Sequence, residues 1–254
     1  MDQMKKNRQF MRCPDFAEGM KETDQQLKKP QPPLEKPAQG EVLELPFCDT
    51  VKHKYYTDIL DTRRSVRKYS DEPATQEQLA FLLWSVQGVQ SVRGAGYATF
   101  RPVPSGGARH PFETYITVRD VTGLKPGLYH YLPLDHVGEK RVSVAYVKPL
   151  EEYEDTVSGM LAGQSFAATA PLVLFFTCLP YRGEWRYAEM AHRVMLIDLG
   201  HVGQNAMLSA AAMGMGSCCF AAFHSARCDE ILGVDGDTEY TVYAVSAGFA
   251  KNEG

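Results

Sequence analysis

The chain of 254 residues contains no long apolar run. Its longest clean apolar stretch, residues 171–176, is far shorter than the roughly 18 residues that a membrane-spanning helix needs. The segment from Met1 to Lys6 also lacks the apolar core of a secretory signal. We therefore expect neither a signal peptide nor a membrane span.

A surplus of basic charge is also missing. Lysine and arginine total 27 against 31 aspartates and glutamates, which gives a net charge of −4. General binding of nucleic acid needs a broad basic face, so this composition argues against it. An apolar content of 44% is that of an ordinary globular protein, which can bury a large core without further staples.

The 6 cysteines lack the spacing of a metal site or a disulfide framework. None of them forms a C-x-x-C pair, and Cys218 and Cys219 are adjacent, which is poor geometry for either purpose. Reduced thiols predict a cytoplasmic protein. The histidines show no ligand spacing either, so no metal site is predicted.

Residues 1–50 differ in composition from the rest of the chain. Residues 28–37 are rich in proline and charge, which favours extended or disordered backbone. We predict an N-terminal extension over 1–50, in part an extended arm, and a domain over 51–254. The arm either wraps a partner subunit or is a mobile tail.

The remaining chain mixes helices and strands without strict alternation, which favours an α+β fold. A capping box at Thr75 and Gln78 predicts a helix with an apolar stripe. A second helix is predicted from His192 to Met213, where apolar and small residues recur at helical spacing. Strands are predicted by β-branched, aromatic or apolar content at 113–118, 127–131, 172–177 and 241–245.

Three segments carry features of chemical interest. The first is residues 62–67, a crowded group of Arg63, Arg64, Ser65 and Arg67. The planar arginine fork holds a phosphate by two parallel hydrogen bonds, so the cluster suits the phosphate of a small cofactor. A solvated basic end of a helix, where arginine complements the helix dipole, also explains these residues.

The second segment, residues 101–111, places two glycines and a serine between prolines. Such a stiff turn lets its backbone approach a flat ligand closely, although a plain surface turn is the alternative. The third segment, residues 213–223, passes from glycines into a run of cysteine, phenylalanine and alanine. It predicts a shelf for an aromatic ring system, a buried strand after a glycine cap, or both.

In this order the three segments resemble the nitroreductase family of FMN flavoproteins, from about residue 55 to residue 249. The P-S-G-G-A-R-H-P-F-E block and the following P-G-L-Y-H-Y are similar to the SagB-type branch, which includes oxidases that turn azolines into azoles. The resemblance implies a three-layer α/β/α sandwich in an intertwined homodimer, with FMN at each of two subunit interfaces.

The resemblance also implies cofactor contacts at definite positions of this sequence. The residues that would hold the FMN phosphate and ribityl end are Arg63, Arg64, Ser65, Arg67 and Lys251. Those that would reach the same flavin from the other subunit are Pro104, Ser105 and Gly106. Those that would line the isoalloxazine ring or its edge are Cys219, Phe220, Ala221, Ala222 and Gln164.

The implied chemistry takes place on the flavin. NAD(P)H delivers hydride to flavin N5, and a small acceptor such as a nitro compound or a quinone then takes its place. The azole-forming relatives carry a Lys-Tyr pair for proton abstraction, and the matching pair here is Arg186 and Tyr187. Arginine does not lose its proton at working pH, so Tyr187 is the catalytic candidate. Oxidation of azolines in a modified peptide and flavin binding without turnover are the alternatives.

Overall fold

A seven-stranded antiparallel sheet forms the middle layer of the fold. The computed structural model describes residues 3–11, 22–47, 51–52 and 55–251. The strands are β1 Glu41–Leu45, β2 Ser91–Arg93, β3 Ala98–Phe100, β4 Phe112–Val118, β5 Gly127–Leu132, β6 Val142–Lys148, β7 Leu172–Cys178, β8 Gly216–Phe220 and β9 Tyr240–Gly248. The helices are α1 Gln3–Met11, α2 Tyr56–Thr62, α3 Gln76–Gln87, α4 Tyr153–Met160, α5 Tyr181–Tyr187, α6 Ala191–Ala212 and α7 Ser225–Leu232. Short 3-10 turns lie at Gly106–Ala108, Ser165–Thr169 and Ala188–Met190. None of the described helices is both long and apolar enough to cross a membrane.

Strand β7 lies inside the sheet. The strand order is β1-β6-β5-β4-β7-β9-β8, and every pair is antiparallel, while β2 and β3 form a separate hairpin. All 7 residues of β7 are buried because both faces of the sheet are covered. The apolar run at 172–177 is therefore that of a strand without a solvent-facing side, as predicted.

Two apolar cores separate the sheet from its helices, one on each face. The larger core joins the sheet to α3 and α6 and includes Leu174 and Leu199. The smaller core joins the opposite face to α4 and α7 and includes Phe175 and Val157. Leu174 and Phe175 are neighbours that enter opposite cores, because successive strand residues alternate between the two faces. The predicted three-layer α/β/α sandwich is confirmed.

The predicted helices and strands are present. Helix α3 begins after Thr75, whose hydroxyl accepts a hydrogen bond from the Gln78 N–H at 3.2 Å, while Gln78 Oε1 accepts from the Thr75 N–H at 2.9 Å. Both halves of the capping box are therefore formed. Helix α6 covers the second predicted helix apart from Met213, and β4, β5, β7 and β9 contain the four predicted strands.

Part of the predicted arm belongs to the sheet. Strand β1, at 41–45, pairs along β6 at one edge, although the predicted domain begins only at residue 51. Residues before this strand also lie against the domain, since Arg182 Nε donates to the Pro33 carbonyl at 2.8 Å. The contact of the arm with a partner subunit stays a prediction. The parts of the arm outside the described residues are 1–2, 12–21 and 48–50.

A buried ionic cluster joins β4, β5 and α5. Glu113 on β4 accepts hydrogen bonds from Arg182 Nη2 at 2.5 Å and from His130 Nε2 at 3.0 Å, and all three side chains are buried. Burial alone raises the pKa of Glu113, but Arg182 and His130 outweigh it and lower this pKa to about 2. The carboxylate therefore stays ionised and balances the buried guanidinium.

We predict that Glu113→Gln lowers the free energy of unfolding at pH 7 by about 3–5 kcal/mol, because Arg182 then stays buried without its counter-charge. Urea unfolding followed by circular dichroism measures the change. Glu44→Gln is the matched control, since Glu44 pairs with the exposed Arg141, and its cost should be below about 1 kcal/mol.

The same carboxylate predicts a pH dependence. The pKa of Glu113 is about 2 in the folded chain, below its usual value of 4.5. Its contribution to stability is therefore complete above about pH 4.5 and is lost as the pH falls towards about 2. Across this range the stability of the native chain should fall more steeply than that of Glu113→Gln. Equal slopes, or equal costs for Glu113→Gln and Glu44→Gln, would contradict this assignment.

Candidate functional site

The arginine cluster lies on the edge of the sheet. Helix α2 ends at Thr62, and the following residues run beside β8. The Val66 N–H donates to the Ser217 carbonyl at 2.9 Å, so Ser65 pairs in parallel with Ser217 of the edge strand. Val66 also packs on Gly216, where a Cβ would come within 2.3 Å of its side chain. These contacts fix the backbone of the cluster.

The cluster carries uncompensated positive charge. Arg64 and Arg67 are exposed and Arg63 is half-buried, and within the described ranges none of the three forms an ion pair. The Lys251 N–H donates to the Lys68 carbonyl at 2.9 Å, which brings Lys251 beside the cluster. Several cations at one sheet edge create a local positive potential in a chain of negative net charge.

A cavity of about 380 Å³ opens beside the cluster, between the end of α6 and the start of β8. Its lining includes Thr62, Arg64, Val66, Ala211, Gly214 and Ala250. A Cβ on Gly214, which has a φ of +76°, would lie 3.0 Å from the Lys52 side chain. Lys52 therefore adds a cation to this end of the site. Sequence reasoning missed it because it is remote from Gly214 along the chain.

The predicted ring shelf follows directly along β8. Ala221 and Ala222 are exposed, whereas the Phe220 side chain is buried and its ring lies 5.6 Å from that of Phe166 in the smaller core. Any contact of Phe220 with a ligand therefore comes from its backbone. Gln164 Nε2 donates to the Ala222 carbonyl at 3.1 Å, so the fold brings Gln164 to the shelf.

The two adjacent thiols of β8 are unreactive. Burial raises the pKa of both Cys218 and Cys219, so the thiolate is scarce near neutral pH. Their side chains therefore contribute apolar surface rather than a nucleophile. Among the described residues, no group of three or more histidine, cysteine, aspartate or glutamate side chains is arranged to hold a metal ion.

A buried carboxylate holds the Pro104–Gly106 turn. Asp198 on α6 accepts hydrogen bonds from Ser105 Oγ at 2.7 Å and from the Gly106 N–H at 2.9 Å. A Cβ on Gly106 would lie 2.3 Å from the Val194 side chain, so only glycine fits against this helix. The turn is therefore fixed to α6 by both a charged acceptor and close packing.

Asp198 is a functional residue whose role sequence reasoning missed. It lies on the buried face of α6 together with Met195 and Leu199. Burial raises the pKa of Asp198, and the hydrogen bonds from Ser105 and Gly106 oppose this effect only in part. A lone carboxylate on an otherwise apolar helix face is the signal that could have found it, because a buried carboxylate needs partners.

One chain does not bring the two parts of the predicted site together. The turn rests on α6 at Asp198, whereas the cavity beside the arginine cluster touches α6 at Ala211. The stretch of helix between these positions spans roughly 20 Å at a rise of about 1.5 Å per residue. The predicted contacts therefore form two groups, one at each end of this stretch.

Tyr187 lies with the turn rather than with the arginine cluster. A Cβ on Gly107 would come within 2.7 Å of the Tyr187 hydroxyl and within 2.3 Å of Arg186 Nε. The Arg186 guanidinium lies 5.5 Å from the centre of the Tyr187 ring. Ala188 follows with a φ of +45°, a strained conformation for alanine of the kind found at functional sites.

Similarity to known proteins assigns the chain to a family. The sequence model of the Nitroreductase family matches residues 60–249, most of the chain. The chain belongs to the nitroreductase family. A candidate nitroreductase of Methanocaldococcus jannaschii is 34% identical over 196 residues, which cover 77% of this chain and 92% of that protein. The trifolitoxin-processing protein TfxB of Rhizobium leguminosarum bv. trifolii is 34% identical over 118 residues, 45% of this chain and 30% of that protein.

Solved structures share the fold of this nitroreductase. A candidate nitroreductase from Anabaena variabilis matches with a TM-score of 0.63 at 24% identity, over 82% of this chain and 42% of that one. The E. coli microcin synthetase McbBCD complex matches with a TM-score of 0.62 at 19% identity, over 75% of this chain and 70% of that one. The NADPH:FMN oxidoreductase of Vibrio harveyi, solved with NAD+, matches with a TM-score of 0.53 at 15% identity, over 78% and 69%. At these identities the likeness concerns the fold, and the predicted α+β nitroreductase fold is confirmed.

We predict that Asp198→Ala releases the Pro104–Gly106 turn of this nitroreductase, because Ser105 Oγ and the Gly106 N–H lose their charged acceptor. The Gly106 amide should then exchange with solvent at least about tenfold faster, as measured by NMR hydrogen exchange. Ser105→Ala is the matched control, since it leaves the bond from Gly106 to Asp198 in place. Unchanged exchange at Gly106 in Asp198→Ala would show that other contacts hold the turn.

Proposed function

We propose that this nitroreductase is an FMN-dependent oxidoreductase that passes hydride from NAD(P)H to a small acceptor such as a nitro compound or a quinone. The observation that carries the proposal is the arginine cluster, fixed at the sheet edge by the strand that leads into the exposed backbone of Ala221 and Ala222. One end of such a site suits a phosphate, and the other suits a flat ring. The fold shared with an NADPH:FMN oxidoreductase supports the same function.

The phosphate end consists of Arg63, Arg64, Ser65, Arg67 and Lys251. Guanidinium forks give bidentate, charge-assisted hydrogen bonds to a phosphate, and the serine hydroxyl adds a neutral donor. The pairing of Ser65 with Ser217 holds this backbone in place, so little conformational freedom is lost on binding. Lys52 lies near the adjoining cavity and adds to its positive potential.

The ring end consists of the backbone at the end of β8. Cys219, Ala221 and Ala222 carry small side chains, so a flat ring can approach their N–H groups, and Phe220 contributes its backbone alone. A backbone N–H near flavin N5 is the contact that this segment can supply. Gln164, held on the Ala222 carbonyl, would reach the ring edge.

A second copy of the chain completes the site. Within one copy the Pro104–Gly106 turn lies roughly 20 Å along α6 from the arginine end, so the turn serves the flavin of the partner. Leu196 and Ile197 on α6 leave 56% and 48% of their surfaces exposed. Such neighbouring apolar side chains suit a subunit interface. We therefore expect a homodimer with two equivalent FMN sites.

When bound, the flavin supplies the hydride chemistry, and the protein binds and orients the reactants. The unreactive thiols of β8 give the ring an apolar wall. Burial lowers the pKa of Arg186, but the hydroxyls of Tyr187 and Tyr97 outweigh burial and raise this pKa. Arg186 therefore stays charged and cannot abstract a proton. The Tyr187 hydroxyl, beside Gly107, is the group that can donate or accept one.

Oxidation of azolines in a modified peptide is the second candidate function. It is favoured by the 34% identity with the trifolitoxin-processing protein and by the fold shared with the microcin synthetase complex. Against it stands Arg186, because a permanently charged guanidinium occupies the position at which the azole-forming relatives carry lysine. These relatives belong to the SagB-type branch, so membership of that branch is part of the same proposal.

The purified protein should be yellow, release FMN on denaturation and sediment as a dimer. Arg63→Ala combined with Arg67→Ala should weaken FMN binding at least about tenfold, because charge-assisted contacts to the phosphate are lost. Quenching of flavin fluorescence measures the affinity. Arg141→Ala combined with Arg227→Ala removes the same charge from exposed positions elsewhere and is the control. Unchanged affinity in the first double variant would refute the phosphate site, and a flavin-loaded monomer would refute the shared site.

Anaerobic titration with NADH and with NADPH, followed by a panel of acceptors, tests the reaction. Either nucleotide should bleach the flavin absorbance, and a nitro compound or a quinone should restore it. Restoration by an azoline peptide alone would favour the second candidate. Bound FMN that neither nucleotide reduces would indicate a flavin-binding protein without turnover.

A further inference from the structure

A second cavity, also of about 380 Å³, lies beside the Pro104–Gly106 turn. Its walls include Arg93, Tyr97, Phe100, Gly107, Ala108 and Arg186. They come from the β2–β3 hairpin, from the residues that follow the turn, and from the end of α5. The cavity therefore adjoins the part of the chain proposed to reach the flavin, but it contains none of the proposed flavin contacts.

The cavity carries two cations and no acidic side chain from the described residues. Arg93 is exposed and, in the same part of the chain, forms neither an ion pair nor a side-chain hydrogen bond. Arg186 is half-buried, and its Nη1 donates to Gln25 Oε1 at 3.0 Å and to the Tyr97 hydroxyl at 2.7 Å. Its buried Nε has no acceptor among the described residues. One exposed cation and one buried donor are thus available to an anion.

The walls around these cations are flat and largely apolar. Tyr97 and Phe100 leave 39% and 48% of their surfaces exposed. Gly107 has a φ of +59°, and a Cβ there would come within 2.3 Å of Arg186 Nε, so glycine allows the guanidinium to lie against the turn. An aromatic molecule with one acidic group matches this combination, because the rings offer stacking surface and the guanidinium groups bind carboxylate or phosphate.

We propose that this cavity binds the acidic group, a carboxylate or a phosphate, of the aromatic or heteroaromatic molecule that exchanges electrons at the flavin. Arg93 and Arg186 then determine specificity without taking part in the chemistry. The inference rests on the proposed function, because a flavin beside the turn is what gives the bound molecule a reaction. The acidic group comes either from an acceptor with a carboxylate or from the phosphates of the nicotinamide nucleotide.

Arg93→Ala separates these two sources, with Arg227→Ala as the control for loss of one exposed charge. Steady-state kinetics compare 4-nitrobenzoate with 4-nitrobenzyl alcohol as acceptors and NADPH with NADH as donors. Arg93→Ala should raise the KM of the acidic ligand at least about fivefold and leave kcat and the KM of the uncharged acceptor within about twofold. A rise for 4-nitrobenzoate alone assigns the cavity to the acceptor, and a rise for either nucleotide assigns it to the donor.

Calorimetric titration with benzoate and with inorganic pyrophosphate gives a readout that needs no turnover. The unaltered chain, with or without FMN, should bind one of these anions at least about fivefold more tightly than Arg93→Ala or Arg186→Gln does. A protein that takes up no FMN contradicts the proposed function, while calorimetry on the FMN-free chain still decides whether the cavity binds anions. Equal affinity for both anions in Arg93→Ala, Arg186→Gln and Arg227→Ala, with unchanged KM values, overturns the inference.

Discussion

The pairing of Ser65 with Ser217 is the contact on which the candidate site depends. One backbone hydrogen bond, from the Val66 N–H to the Ser217 carbonyl, fastens the arginine cluster to the edge of the sheet. An edge strand presents unpaired N–H and C=O groups, and here a functional segment uses them. Without this contact the guanidinium groups would lie on a loose segment after α2 and would lose more conformational freedom on binding a phosphate. With it, they stand beside the backbone that the proposal assigns to the flavin ring.

Helix α6 sets the distance between the two halves of the site. Asp198 holds the turn at one position on this helix, and Ala211 lines the cavity beside the arginine cluster at another. A helix is too stiff to bring these positions together, so the halves meet only if two copies of the chain associate. The same constraint groups Tyr187 and the Arg93–Arg186 cavity with the turn, so that one copy offers the phosphate grip and the other the substrate contacts.

The features that could be predicted from the sequence are those with a local signal. The capping box at Thr75, the apolar run of β7 and the small-residue helix α6 each show their pattern within one element. The site residues were predicted by resemblance, because three short motifs recur in a fixed order. Contacts between remote residues were missed, since no local pattern links Asp198 to Ser105 or Lys52 to Gly214. Strand β1 was missed for a related reason: the proline-rich composition before it favoured an arm, whereas pairing with β6 decides its structure.

Subunit complementation tests the shared flavin site most directly. One variant carries Arg63→Ala with Arg67→Ala, and the other carries Gly106→Val, which cannot pack the turn against α6. Each homodimer should bind FMN poorly, whereas a heterodimer purified with two different affinity tags should bind one FMN per dimer with native affinity, because one of its two sites receives intact arginines and an intact turn. A heterodimer that binds FMN as poorly as its parent homodimers would contradict a site built from two chains.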